Sequence, residues 1–136
     1  MIYITRKEHF NAAHKLFNPN WSEEQNETVF GKCANKNWHG HNYDLFVTVK
    51  GTINPDTGFV VNLKELSTLI RKDVTEVLDH KNLNLDVVGM PVMPSTENVA
   101  IFIWKILADK IKAMGAQLHC VKLYETESNY VEYFGE

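Results

Sequence analysis

Apolar and polar positions alternate in some stretches of this chain and recur at helical spacing in others, and the pattern predicts the elements in order. Over the first fourteen residues Tyr3 and Ile4 favour extended backbone, while Phe10, Ala12 and His14 share one face at period 2, which predicts a strand. Asn18-Pro19-Asn20 is a turn signal, and Ser22-Glu23-Glu24-Gln25 resembles a capping box that opens a short helix. Residues 31–40 have no periodicity and read as a loop. From His39 to Gly51 the alternation is regular, with His39, His41, Tyr43, Leu45, Val47 and Val49 on one face and Asp44, Thr48 and Lys50 on the other. A turn at Asn54-Pro55-Asp56-Thr57-Gly58 follows. Leu63, Leu66, Leu69, Ile70, Val74, Val77 and Leu78 then recur at helical spacing. Residues 79–89 are polar and irregular. Pro94-Ser95-Thr96-Glu97 reads as a capped helix start, Val99, Phe102, Ile103, Ile106, Ile111 and Met114 carry that helix, and Gly115 ends it. Residues 119–126 and 130–134 predict two strands joined as a hairpin across Glu127-Ser128-Asn129.

Strands segregated from helices imply an α+β fold, a four-stranded antiparallel sheet with two helices packed on one face. The open edges of such a sheet call for pairing between subunits. A length of 136 residues with 44% apolar composition suits a single domain, residues 1–136. The net charge of -3 gives no electrostatic footprint for nucleic acid or an anionic membrane, so neither is expected as a partner. The densest apolar run, residues 99–104, is too short to span a bilayer. The early charges Arg6, Lys7 and Glu8 argue against a signal peptide. Two cysteines, Cys33 and Cys120, do not make a disulfide framework, and the expectation is a reducing, cytoplasmic setting.

Histidines carry the chemistry. In Trp38-His39-Gly40-His41 the one-residue spacing puts both imidazoles on one strand face, their Cβ atoms roughly 7 Å apart, and Gly40 permits close backbone approach. His14 ends a different strand and can supply a third nitrogen. Three neutral histidines with one open position is the pattern of catalytic zinc. The alternative is ordinary hydrogen-bonded histidines, but His39 and His41 occupy an otherwise apolar face, where unbound imidazoles are costly. Cys33 reads either as a thiolate stabilised beside a cation or as a small buried side chain, the latter fitting Cys120 better. Asp79 can orient His80 for acid–base work, although the dipeptide alone is common. Glu125 sits at period 2 from Val121 and Leu123. It is either a carboxylate that accepts two adjacent N–H donors, as a pterin or guanine edge offers, or a plain salt-bridge partner.

Taken together, the chain resembles the 6-pyruvoyl-tetrahydropterin synthase family. The resemblance rests on Phe10-Asn11-Ala12-Ala13-His14, on Phe30-Gly31-Lys32-Cys33 leading to His39-Gly40-His41-Asn42-Tyr43, on Leu78-Asp79-His80-Lys81-Asn82-Leu83, on Ser95-Thr96-Glu97-Asn98 and on Tyr124-Glu125-Thr126. It implies the T-fold, in which three subunits close their sheets into a barrel and two trimers stack into a homohexamer with active sites at subunit interfaces. It implies zinc (Zn2+) on His14, His39 and His41, catalytic Cys33, Asp79 and His80 (the last two donated by a neighbouring subunit), and a pterin held by Glu125 and Thr96. The implied activity is a lyase acting on 7,8-dihydroneopterin triphosphate to give 6-pyruvoyl-tetrahydropterin and triphosphate. The rival within the family is the bacterial 6-carboxytetrahydropterin synthase of queuosine synthesis, which releases acetaldehyde as well. The five residues between Cys33 and His39 and the long 16–30 insertion favour the pyruvoyl type. Trp38 departs from the glycine or small residue of many relatives. Lys15 and Lys81 are candidates for phosphate contacts. Readings from other classes are a non-catalytic zinc-held oligomer, against which the missing fourth ligand argues, and a pterin-binding protein without chemistry.

Overall fold

The computed structural model describes residues 1–136. Strand β1 (Ile2–His14) pairs antiparallel with β2 (His39–Gly51), β2 with β4 (Gln117–Tyr124), and β4 with β5 (Tyr130–Tyr133). The four predicted strands are all present. A fifth, β3 (Lys81–Asn82), adds two residues parallel to β1 at Ala12 and Ala13, giving the order β3-β1-β2-β4-β5. Two residues are too few for periodicity to register, so β3 left no mark in the pattern. The register of β4 on β2 shifts between Thr48 and Val49, a bulge that returns Leu118 to the face of Val121 and Leu123.

One face of the sheet is covered and the other is open. Phe10, Tyr43, Leu45, Val47, Val121 and Leu123 alternate inward and join the core with the helices. Helix α1 (Glu23–Phe30) lies in the predicted insertion, and the Ser22 hydroxyl caps it by accepting the Gln25 N–H at 3.1 Å. Helix α2 (Leu63–Ile70) runs through a π-helical turn, Arg71–Thr75, into a last turn, α3 (Glu76–Leu78). The buried residues Leu66, Ile70, Val74 and Leu78 recur every four positions. An α-helix turns about 40° past a full revolution in four residues, so this stripe would drift off the core. The wider π turn absorbs that drift. Leu63 and Val77, read from spacing as part of the apolar stripe, are exposed instead. Helix α4 (Thr96–Ala113) starts at the predicted cap, Ser95, and Gly115 follows its end at φ +88°, a left-handed value that glycine holds without penalty. No helix is long and apolar enough to cross a membrane.

Candidate active site

Three imidazoles meet where β1 ends and β2 begins. The register sets His14 directly opposite His39 and Ala12 opposite His41, so period-2 geometry places all three rings on the helix-covered face. Their centroids lie 4.6 Å (14–39), 5.1 Å (14–41) and 4.8 Å (39–41) apart. One ligand atom from each, together with a carboxylate oxygen of Glu125, lies within 4.8 Å of the others. Crowding does not explain Gly40, contrary to its predicted role. A Cβ there would meet only the Ala12 carbonyl oxygen, at an ordinary 3.6 Å.

The rings are poised as metal ligands. Nε2 of His14, both ring nitrogens of His39 and Nε2 of His41 are buried without a hydrogen-bond partner, an arrangement that costs free energy unless something binds them. His14 Nδ1 stands 2.7 Å from the Pro94 carbonyl oxygen. That oxygen only accepts, so Nδ1 carries the proton and Nε2 keeps its lone pair for the cluster. Burial lowers the pKa of all three histidines. A neighbouring imidazole acts in the same direction on each, and the Glu125 charge opposes it. Neutral imidazole is the ligating form. Three such nitrogens converging on one point fit a borderline cation of the zinc type.

Glu125 directly follows β4. Its Oε2 accepts a hydrogen bond from Thr96 Oγ1 at the start of α4. Its Oε1 lies 2.8 Å from His41 Nε2, outside hydrogen-bond geometry. The carboxylate read from sequence as a ring anchor therefore stands inside the histidine cluster too. Sequence reasoning passed over Tyr43, whose ring stacks on Phe10 at 4.8 Å and lies edge-on to His14 and His41. Burial first, and then the Glu125 charge, raise its pKa well above that of an ordinary phenol. Its only signal in the sequence is a period-2 place on the histidine face.

Asp79 and His80 stand outside the converging set. Asp79 Oδ1 accepts the Asn11 N–H at 2.8 Å, and the Asn11 carbonyl accepts the His80 N–H at 2.6 Å. Asp79 Oδ2 lies 2.8 Å from His80 Nδ1, leaving Nε2 free. The Asn11 N–H, followed by His80, holds the Asp79 carboxyl below the usual carboxylate range. His80 takes φ +59°, a left-handed value rare outside glycine, and the two bonds to Asn11 hold it there. The His80 side chain is 80% exposed. With Asn11 and Asn42, the pair lines a groove of about 680 Å³ whose walls also include His41, Tyr43 and Glu125.

Cys33 is half-buried in a 3₁₀ turn, Gly31–Ala34, its carbonyl accepting the Leu16 N–H at 2.7 Å. It is not among the groups that converge on one point. Cys120 is buried, and burial raises its thiol pKa, in keeping with an inert side chain. Trp38 takes φ +69°, a left-handed value that glycine holds with less strain. Its ring lies 4.5 Å from the Lys15 ammonium, which also sits 4.6 Å from the Phe17 ring. Lys15 is thus held between two aromatic rings, while Lys81 is exposed on β3.

Comparison with known proteins agrees with this geometry. The family model described as 6-pyruvoyl tetrahydropterin synthase matches residues 3–136. The chain is 46% identical over 134 residues to 6-pyruvoyl tetrahydrobiopterin synthase of Homo sapiens, covering 98% of this chain and 91% of that protein. It is 41% identical to the protein of the same name from Dictyostelium discoideum, covering 99% and 97%. The solved structure of Caenorhabditis elegans 6-pyruvoyl tetrahydropterin synthase superposes with a TM-score of 0.90 at 34% identity, covering 99% of this chain and 96% of that one. With sequence, fold and the histidine cluster in agreement over nearly its whole length, the chain belongs to the 6-pyruvoyl tetrahydropterin synthase family.

Proposed function

We propose that this chain is a zinc-dependent lyase that converts 7,8-dihydroneopterin triphosphate to 6-pyruvoyl-tetrahydropterin with loss of triphosphate. The observation that carries the reading is the set of unpartnered imidazole nitrogens on His14, His39 and His41, converging beside a carboxylate that Thr96 holds. The names borne by relatives 41–46% identical support the same product. Zinc bound there supplies Lewis acidity to the substrate's side-chain hydroxyls, making adjacent protons easier to remove.

The protein's own groups divide the remaining work. Glu125 accepts from the pterin ring edge, with Thr96 fixing its orientation. Cys33, as thiolate, takes a proton from the substrate side chain. His80 uses its free Nε2 to return a proton to the ring, with Asp79 holding the opposite nitrogen. Triphosphate leaves with its electron pair, the side chain is oxidised, and the ring gains the two reducing equivalents, so no external reductant enters. Asp79 and His80 serve a neighbouring subunit's histidine cluster in a homohexamer whose trimers close their sheets into barrels. The exposure of His80 and the unpaired edge of β1 before Ala12 support that arrangement.

Incubation with 7,8-dihydroneopterin triphosphate and product identification by mass spectrometry test the reading. The expected products are 6-pyruvoyl-tetrahydropterin and triphosphate. Acetaldehyde with a 6-carboxy pterin overturns the product, and the absence of triphosphate release overturns the enzyme.

A further inference from the structure

Tyr43 is fully buried, and its hydroxyl has no hydrogen-bond partner in the protein. Its ring has a packing role, stacked on Phe10 at 4.8 Å and 13°, but phenylalanine would fill that place as well. The hydroxyl adds only a desolvation penalty unless an acceptor reaches it. Its position limits where such an acceptor comes from. Tyr43 lies two residues beyond His41 on the same strand face, with its ring edge-on to His14 (6.3 Å) and His41 (5.6 Å). Neither Nε2 of His14 nor Nε2 of His41 bonds it. Glu125 instead takes the Thr96 hydroxyl. No group of the protein accepts from the Tyr43 hydroxyl, which points to an acceptor that arrives with the site's occupant.

We propose that Tyr43 is a further binding residue of this site, its hydroxyl donating a hydrogen bond to an oxygen that the occupied site holds. The proposal rests on the reading of the histidine cluster given above. The oxygen is either a side-chain hydroxyl of the pterin or a water that enters with the ion. Tyr43→Phe removes the donor and keeps the shape.

Three measurements on the full chain decide the matter: the thermal midpoint of the metal-free protein, zinc affinity by chelator competition, and affinity for 7,8-dihydroneopterin, which lacks the triphosphate and cannot turn over. The metal-free variant melts at or above the wild-type midpoint, because an unsatisfied polar atom is gone. Binding falls about five- to tenfold, the value of one hydrogen bond. A loss already present with zinc alone identifies the water, and a loss only with dihydroneopterin identifies the substrate hydroxyl. An equal drop in midpoint with and without ligands reveals an internal partner and overturns the proposal, as does unchanged binding in both arms. Wild-type protein that binds neither zinc nor dihydroneopterin defeats the site reading itself, and the proposal with it.

Discussion

Thr96→Val separates the two positions that Glu125 occupies, beside the histidines and beside α4. Valine keeps the shape of Thr96, which is 6% exposed, and removes the hydroxyl that donates to Glu125 Oε2. The helix start survives, because its cap is the Ser95 hydroxyl accepting the Asn98 N–H. A hydrogen bond to a charged acceptor is worth about 1.5–3 kcal/mol. The Glu125 side chain is 28% exposed, so water replaces part of the loss and the lower end applies. That corresponds to roughly a tenfold effect. If Glu125 grips a ring that does not change place during the reaction, ground state and transition state lose equally. KM then rises about tenfold while kcat holds. Steady-state kinetics on dihydroneopterin triphosphate, with zinc affinity measured in parallel, provide the assay. A KM within twofold of wild type refutes the reasoning. A matching loss of zinc affinity refutes it differently, by making Glu125 a fourth metal ligand and closing the site.

Cys33→Ala and His80→Ala are each expected to abolish turnover in pure oligomers. Mixed by denaturation and joint refolding, the two recover activity if one subunit's His80 serves another's cluster, and a mixture as inactive as its components refutes the shared site. Glu8→Gln probes a buried carboxylate outside the site, which accepts from Arg6 Nε, Arg71 Nε and Ser67 Oγ at 2.9–3.1 Å. Burial alone would raise its pKa, yet the bonds from Arg6, Arg71 and Ser67 leave it below the ordinary value. A native pKa below the unfolded one means this stabilisation is whole above the unfolded carboxyl range and drains away as pH falls through the native value. The arginine side chains are 35% and 56% exposed and regain water, so the variant should lose about 1–2 kcal/mol near neutral pH. The gap to wild type closes in acid. Urea unfolding at several pH values checks this, and a gap that persists unchanged into acid sinks it.

The histidine cluster was legible in the sequence because strand geometry is nearly deterministic. His39 and His41 alternate with Leu45 and Val47, so their face followed from period 2. His14 was placed by the same rule, and its pairing opposite His39 needed only the tertiary register. Other features rest on contacts that no local pattern announces. The Pro94 carbonyl that orients His14 is 80 residues away in sequence. The bonds of Asp79 and His80 to Asn11 use backbone groups, which every residue possesses. The π turn was implicit in the four-residue repeat of Leu66, Ile70, Val74 and Leu78, but Leu63, Leu69 and Val77 blurred it by suggesting a wider apolar face. Tyr43 was visible as a strand residue and not as a site residue, since a core phenol and a functional phenol look alike until the hydrogen bonds are counted.

That backbone attachment also bears on the proposed sharing of the site between subunits. Asp79 and His80 hang from Asn11, whose side chain reaches Asn42 across the open face of the sheet, whereas Phe10 and Ala12 on either side of it point into the core. Moving the dyad to the other face would mean breaking both bonds to Asn11, so these groups are fixed where they are. An imidazole 80% exposed is surrounded by water, and proton transfer there gains little from its neighbours. Holding His80 at φ +59° is a cost that the two bonds to Asn11 offset. The cost has a purpose if another subunit covers the open face, excludes that water and brings its own histidines to the waiting Nε2. Under the proposed assembly, the backbone conformation of His80 would present Nε2 to that contact.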